Sequence, residues 1–378
     1  MPTNGSPPAH HRATSWALDP TPVIGRIMGP AACVALALVA LCSRASNGLA
    51  VTGGAAPTLI APVCSRHSGG AFPTLFLLGA RKSGTTSLIK DMHSTMPLLM
   101  PTIPQSRKGV DPILMEKELH FFDHGAQVDE GPARLSSYYP SCAEVMAAHQ
   151  VPAEATPAYF SATRGNHQGQ DPWDRADRFY AAEATDADRD RLVFVVIVRD
   201  PIHRYVSNYD HFCVREKQHR KECKASVLET VEWSVKRTRK HCDTAQLEAA
   251  QRSCFADLDF LKAGVYWLGL AGWARRFPRS QIIVTTFDHY LRDPNSVLQA
   301  VGKAIGAVPK RLDQPSHVNE AAHHADSRWE TPEMRNASRL LAEFYAPHDK
   351  RFFELLETLQ SPDQVHRLTF VGSPGKYS

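Results

Sequence analysis

A short apolar run, Phe72 to Gly79 (FPTLFLLG), passes without interruption into Gly79-Ala80-Arg81-Lys82-Ser83-Gly84-Thr85-Thr86-Ser87. A run of that length and content reads as a buried strand, and a helical stretch follows from Ser87 to His93. Strand, glycine-bearing loop and helix start, in that order, build an anion cradle. The first-turn N–H groups and the positive end of the helix dipole converge on one phosphate-sized volume. Gly79 and Gly84 have the spacing of the pattern G-x-x-x-x-G-K-[ST], but Thr85 stands where that pattern requires lysine. The cation comes earlier, at Lys82. The loop therefore reads as a phosphate cradle whose ligand is not a magnesium-clamped γ-phosphate.

A second strand signal is Arg191 to Val198 (RLVFVVIV), nearly continuous in β-branched residues, as in a central parallel strand. It ends in Arg199-Asp200-Pro201. Asp200 has the chemistry of an N-cap and Pro201 that of a first helical residue, so a helix starts here, with Ser207 two turns in. Arg199 then lies at the carboxyl end of its strand, where open α/β sheets bind ligands. Further strands are expected at Gln150–Glu154 and Gln281–Thr286. Helices are expected at Trp173–Ala182, Val227–Arg239, Phe255–Phe277, Ser296–Ile305 and Arg335–Leu359. Strands alternating with helices predict an α/β fold. It is a single P-loop-like domain over residues 71–370, with a central, mostly parallel sheet flanked by helices. Of 378 residues 43% are hydrophobic and 22% charged, which excludes wholesale disorder. The formal net charge of +4 is too mild for a nucleic-acid coat.

Four segments in order carry a family resemblance. Leu78 to Leu88 (LGARKSGTTSL) resembles the 5′-phosphosulfate-binding loop of sulfotransferases, and Val198 to Tyr209 (VRDPIHRYVSNY) resembles their 3′-phosphate-binding segment. Between them, Lys117 to Asp123 (KELHFFD) and Glu154 to Phe160 (EATPAYF) are similar to the K-E-x-H-F-F-D and E-x-[TS]-P-x-Y-F elements of glycosaminoglycan sulfotransferases. The resemblance runs from about Phe72 to Glu357.

It implies transfer of a sulfuryl group from 3′-phosphoadenosine 5′-phosphosulfate to a sugar hydroxyl or amine, with no metal expected. A sulfonate carries one negative charge against two for a phosphoryl group, so a lysine can stabilise the leaving oxygen without a metal. By the same resemblance Lys82 meets the bridging oxygen. Arg81, Ser83, Gly84, Thr85, Thr86 and Ser87 complete the 5′-phosphate loop, and Arg199 and Ser207 hold the 3′-phosphate. Glu118 is the base that takes the acceptor proton, and His120 and Asp123 position acceptor or base. A gapless match near the C-terminus aligns Arg328 with a phosphate-contacting arginine. Ala155 departs from the pattern, since many heparan sulfate enzymes carry lysine there. Two rivals stay open: a P-loop kinase, which Thr85 argues against, and a non-catalytic polyanion-binding protein.

From His211 to Cys242 nine lysines and arginines stand against four acids, a local excess larger than that of the whole chain. Such an excess attracts a polyanionic glycan acceptor. The His and Cys residues of this stretch lack the spacing of a zinc site.

The N-terminal residues differ in composition. Residues 1–22 read as an unstructured tail and 45–70 as a stem. Ile27 to Cys42 is almost uncharged, rising ~24 Å as a helix against a ~30 Å hydrocarbon core. Residues 23–44 fit a single membrane anchor, a cleaved signal peptide or a transit peptide. The first, taken with the family resemblance, implies a Golgi type II membrane protein with a lumenal domain, the others a secreted or organellar one. Six cysteines lie beyond this run; Cys213/Cys223 and Cys242/Cys254 are the nearest pairs, and spacing alone fixes no pairing. Asn336-Ala337-Ser338 is a glycosylation sequon within an expected helix. Pro101 to Asp111 is expected to loop over the cleft.

Overall fold

A computed structural model describes residues 58–102, 117–123, 125–161, 170–217, 220–241, 258–278, 281–316, 326–360 and 367–371. All belong to one compact unit, Ala55–Ser378. The N-terminal hydrophobic run, most of the Pro101–Asp111 loop, Cys242 and Cys254 lie outside the described residues. Among those described, no helix is long and apolar enough to cross a membrane.

Six strands form one sheet in the order β4-β5-β3-β6-β7-β8. They are β3 (Leu75–Gly79), β4 (Leu98–Leu99), β5 (Val151–Glu154), β6 (Val193–Val198), β7 (Gln281–Thr286) and β8 (Arg367–Val371). Every neighbouring pair is parallel. A small antiparallel pair, β1 (Val63–Cys64) with β2 (Ala71–Phe72), precedes them. The sheet has one apolar layer on each face. Leu75 and Leu77 of β3 join Val193, Val195 and Ile197 of β6 in one, while Phe76, Leu78, Phe194, Val196 and Val198 enter the other. This is the alternation a two-sided parallel sheet imposes.

From β3 the chain first builds β4 and β5 on one side, then crosses to build β6, β7 and β8 on the other. The order reverses at β3, so the crevice above its carboxyl end is the expected ligand position. Helices α1 (Thr85–Thr95), α2 (Pro172–Glu183), α3 (Pro201–Tyr209), α4 (Val227–His241), α5 (Tyr266–Arg276), α6 (Phe287–Arg292), α7 (Pro294–Ile305) and α8 (Pro332–Gln360) matter below.

Several boundaries differ from the sequence reading. The run Phe72–Gly79 is two strands, because Pro73 has no N–H to donate and Thr74 turns its hydroxyl to the Val63 amide at 2.9 Å. Residues 58–70 pack on the domain instead of continuing the stem: Val63 is fully buried and Cys64 is disulfide-bonded to Cys142. The second bridge is Cys213–Cys223. The helix expected over Phe255–Phe277 breaks at Ala263-Gly264-Val265. A Cβ on Gly264 would lie 2.8 Å from the Tyr345 ring, whose hydroxyl donates to the Leu261 carbonyl at 2.8 Å.

Candidate active site at the carboxyl edge of the sheet

The loop between β3 and α1 is anchored at both ends. The Ala80 amide donates to the Ile197 carbonyl at 2.7 Å and the Ser83 amide to the Ala80 carbonyl at 3.1 Å. Gly84 is the N-cap of α1 at φ +88°, with no side-chain cap and no acid in the first turn. No carboxylate of the first turn therefore compensates the positive end of α1. Thr85 and Ser87 are buried, and Thr86 and Arg81 half-buried. Lys82 has φ +66°, a left-handed conformation uncommon for a residue with a side chain. Burial lowers its pKa to about 8. Arg215 adds to the effect, Glu216 opposes it, and Arg81 and Arg199 contribute further.

Beside this loop, β6 delivers Arg199. Asp200 caps α3, its Oδ1 accepting from the Ile202 and His203 amides at 2.9 Å each. The Tyr266 hydroxyl donates to the Arg199 carbonyl at 2.7 Å. The Arg199 guanidinium carbon lies 4.9 Å from the centroid of the Phe287 ring, at the start of α6. The same ring lies against the loop, since a Cβ on Gly84 would fall 2.5 Å from it. Lys82, Gly84, Arg199 and Phe287 are thus one neighbourhood. Ser207 is buried on α3.

The carboxylate cluster comes from residues 117–123, which form a pinned turn. The Ala155 amide donates to the Lys117 carbonyl at 2.8 Å and the Leu119 amide to Glu154 Oε1 at 3.1 Å. The His120 amide reaches the Thr156 hydroxyl at 3.1 Å, and the Phe121 and Phe122 amides reach the Tyr159 hydroxyl at 2.8 and 3.2 Å. His120 takes φ +54° at the bend. Its Nε2 lies 3.3 Å from Glu118 Oε2 and its Nδ1 2.8 Å from Asp123 Oδ2. The buried Lys117 ammonium pairs with the other Glu118 oxygen.

Burial opposes ionisation of Glu118, yet the His120 hydrogen bond and the Lys117 charge hold it at about 2. Burial also opposes charge on His120, but Asp123 and Glu118 together raise it to about 10. Glu118 is therefore a carboxylate and His120 an imidazolium at neutral pH. Glu154 behaves oppositely. Burial raises it to about 8, against the hydrogen bonds from Thr156 and Leu119, so it is predominantly a neutral acid there.

Both clusters meet the same short 3₁₀ turn, Pro157–Phe160. A Cβ on Gly79 would fall 2.7 Å from the Pro157 carbonyl and 2.8 Å from Phe160 Cβ. Arg328 stands in a different relation. Both its terminal nitrogens donate to Asp210, at 2.8 and 2.9 Å, so its fork is engaged by a carboxylate at the end of α3. Sequence reasoning assigned no role to Lys117, Thr156, Tyr159, Tyr266 or Phe287. The KELHFFD and EATPAYF segments hold the available signal for Lys117, Thr156 and Tyr159. Among the described residues no group of three or more His, Cys, Asp or Glu is arranged to hold a metal ion.

Residues 150–264 match the model of the sulfotransferase family. The solved structure of a sulfotransferase from Alicyclobacillus acidocaldarius is also similar, at 20% identity and a TM-score of 0.46. The match covers 76% of this chain and 96% of that one.

Proposed function

We propose that this chain is a sulfotransferase that moves a sulfuryl group from 3′-phosphoadenosine 5′-phosphosulfate to a carbohydrate hydroxyl or amine. The family match over residues 150–264 supports sulfuryl transfer in general. The observation that carries the finer reading is that the Gly84 backbone of the phosphate loop and the Arg199 guanidinium flank one ring, Phe287, while Arg199 is near enough to Lys82 to help lower its pKa. A ligand with anionic groups at both ends of a nucleoside suits that pair.

In this reading the first-turn amides of α1 and the hydroxyls of Thr85, Thr86 and Ser87 hold the 5′-phosphate, with Arg81 and Ser83 shaping the loop. Arg199 and Ser207 take the 3′-phosphate. Lys82 donates to the bridging oxygen as the S–O bond to phosphate breaks and the acceptor O–S bond forms. Glu118 receives the acceptor proton. Its low pKa makes it a weak base, which suits a late transfer, after the forming bond has acidified the hydroxyl. His120, held charged between Glu118 and Asp123, orients that carboxylate instead of competing for the proton. Asp123 fixes His120 and the acceptor side of the turn.

The acceptor proposed is an anionic glycan of glycosaminoglycan type, drawn by the basic stretch from His211 onward. The compartment proposed is the Golgi lumen, with residues 23–44 as a type II anchor and Asn336, exposed on α8, as a glycan acceptor. The test is transfer of labelled sulfate from the nucleotide donor across a panel of desulfated glycans. Incorporation into one or more anionic glycans is expected. No transfer to any acceptor, together with magnesium-dependent phosphoryl transfer from ATP, overturns the reading.

A further inference from the structure

The Phe287 ring touches two elements that the sequence places far apart. One edge lies against Gly84, where a Cβ would be 2.5 Å from Cδ2 and Cε2. The Arg199 guanidinium carbon lies 4.9 Å from its centroid. Phe287 itself is fixed from below. It follows β7 directly, Thr286 caps α6 by accepting from the His289 amide at 3.2 Å, and the ring packs on the apolar layer that contains Leu88 and Ile89 of α1.

We infer that Phe287 is a positioning residue that makes this site demand a 3′-phosphate. Its ring supports the Arg199 guanidinium at a fixed place relative to the 5′-phosphate loop. This rests on the donor reading above and names the residue that sets its nucleotide selectivity. A guanidinium held on an aromatic face keeps its in-plane N–H edge available for a bidentate contact. It also loses less conformational freedom when an oxyanion arrives, because its rotamer is already selected. An unsupported arginine would bind the same phosphate but discriminate less against nucleotides that lack it. The backbone of Gly84 sets the other boundary of the ring, so one side chain fixes the spacing between the two phosphate subsites.

The experiment compares affinities for adenosine 3′,5′-bisphosphate and adenosine 5′-monophosphate by calorimetry on the full chain. The variants are Phe287→Leu, Phe287→Tyr and Arg199→Ala. The wild type is expected to prefer the bisphosphate. Phe287→Leu keeps apolar volume but removes the aromatic face, and should lower the ratio of affinities by about fivefold or more while monophosphate affinity is retained. Phe287→Tyr should restore the ratio. Adding Phe287→Leu to Arg199→Ala should lower it no further. An unchanged ratio in Phe287→Leu, or an equal loss of both affinities, overturns the inference while leaving the donor reading in place. A wild type that binds the two nucleotides equally overturns the donor reading and this inference with it.

Discussion

His120 Nε2 stands 3.3 Å from Glu118 Oε2, and the two carry opposite charges throughout the neutral range. The pair fixes which group can accept a proton. An imidazolium has no lone pair to offer, whereas the carboxylate does.

Glu118→Gln should therefore lower sulfuryl transfer by about 10²- to 10⁴-fold, the range for loss of a positioned base. Adenosine 3′,5′-bisphosphate should still bind, because the phosphate loop is untouched. Single-turnover rates alongside calorimetric affinities separate the two effects. Unaltered turnover would remove Glu118 as the base.

Lys82 makes donor affinity pH-dependent. Its pKa in the free protein is lowered to about 8, chiefly by burial, and a bound anion favours the charged form and raises it. Affinity should then be fully developed below pH 8 and decline as pH rises through that value. Binding near pH 8 should take up a fraction of a proton, read by calorimetry in buffers of different ionisation enthalpy. Lys82→Met should remove both effects.

Glu154 separates a neutral acid from a charged one. Its folded pKa of about 8 exceeds the ordinary 4.5, so its favourable contribution is present below pH 4.5 and is lost as pH rises through about 8. Glu154→Gln keeps an oxygen for the Leu119 amide and the Thr156 hydroxyl without that ionisation. The variant should gain stability relative to wild type as pH increases across this window, measured by urea denaturation. Glu154→Ala abandons both hydrogen bonds and should be destabilised at every pH, with loss of transfer through the displaced turn.

Gly84→Ala adds a Cβ 2.5 Å from the Phe287 ring at a φ of +88°. Nucleotide affinity should fall at least tenfold or so, at a conformational cost of about 1–2 kcal/mol for the left-handed residue alone. Binding by equilibrium dialysis and thermal melting check the two parts.

The Cys64–Cys142 bridge spans 78 residues and ties β1 to the helix that begins at Cys142. Replacing both cysteines with serine should cost about 2–5 kcal/mol in denaturant titrations, because the closed loop restricts the unfolded chain. A stability change within error would place the anchoring of residues 58–70 in Val63 and its neighbours instead.

Much of the sheet was legible because its central strands are long and apolar on both faces. Gln281–Thr286 coincides with β7 in full, and the Arg191–Val198 run overshoots β6 by two residues, where Arg191 turns out to pair with Asp188. The cap at Asp200 was legible because capping is local. The breaks were not. Apolar spacing continues through Ala263-Gly264-Val265, and only the Tyr345 ring, about 80 residues later in the chain, interrupts the helix. Glu118 and His120 lie two residues apart, a spacing that would put them on one side of an extended segment. They do meet, but on a turn whose shape depends on Glu154, Thr156 and Tyr159 and cannot be read from KELHFFD alone. Phe287 carries no local signal, since its role depends on two neighbours distant in sequence. β8, a short edge strand that begins with arginine, carried no periodic signal of its own.

That last strand has a consequence for biosynthesis. β8 pairs with β7 along its length, Gln281 opposite Arg367 through Thr285 opposite Val371, and it follows the other described strands in chain order. Until it emerges, the backbone of β7 is an open margin able to capture a stray chain. A nascent polypeptide stalled before residue 367 would leave that margin uncovered.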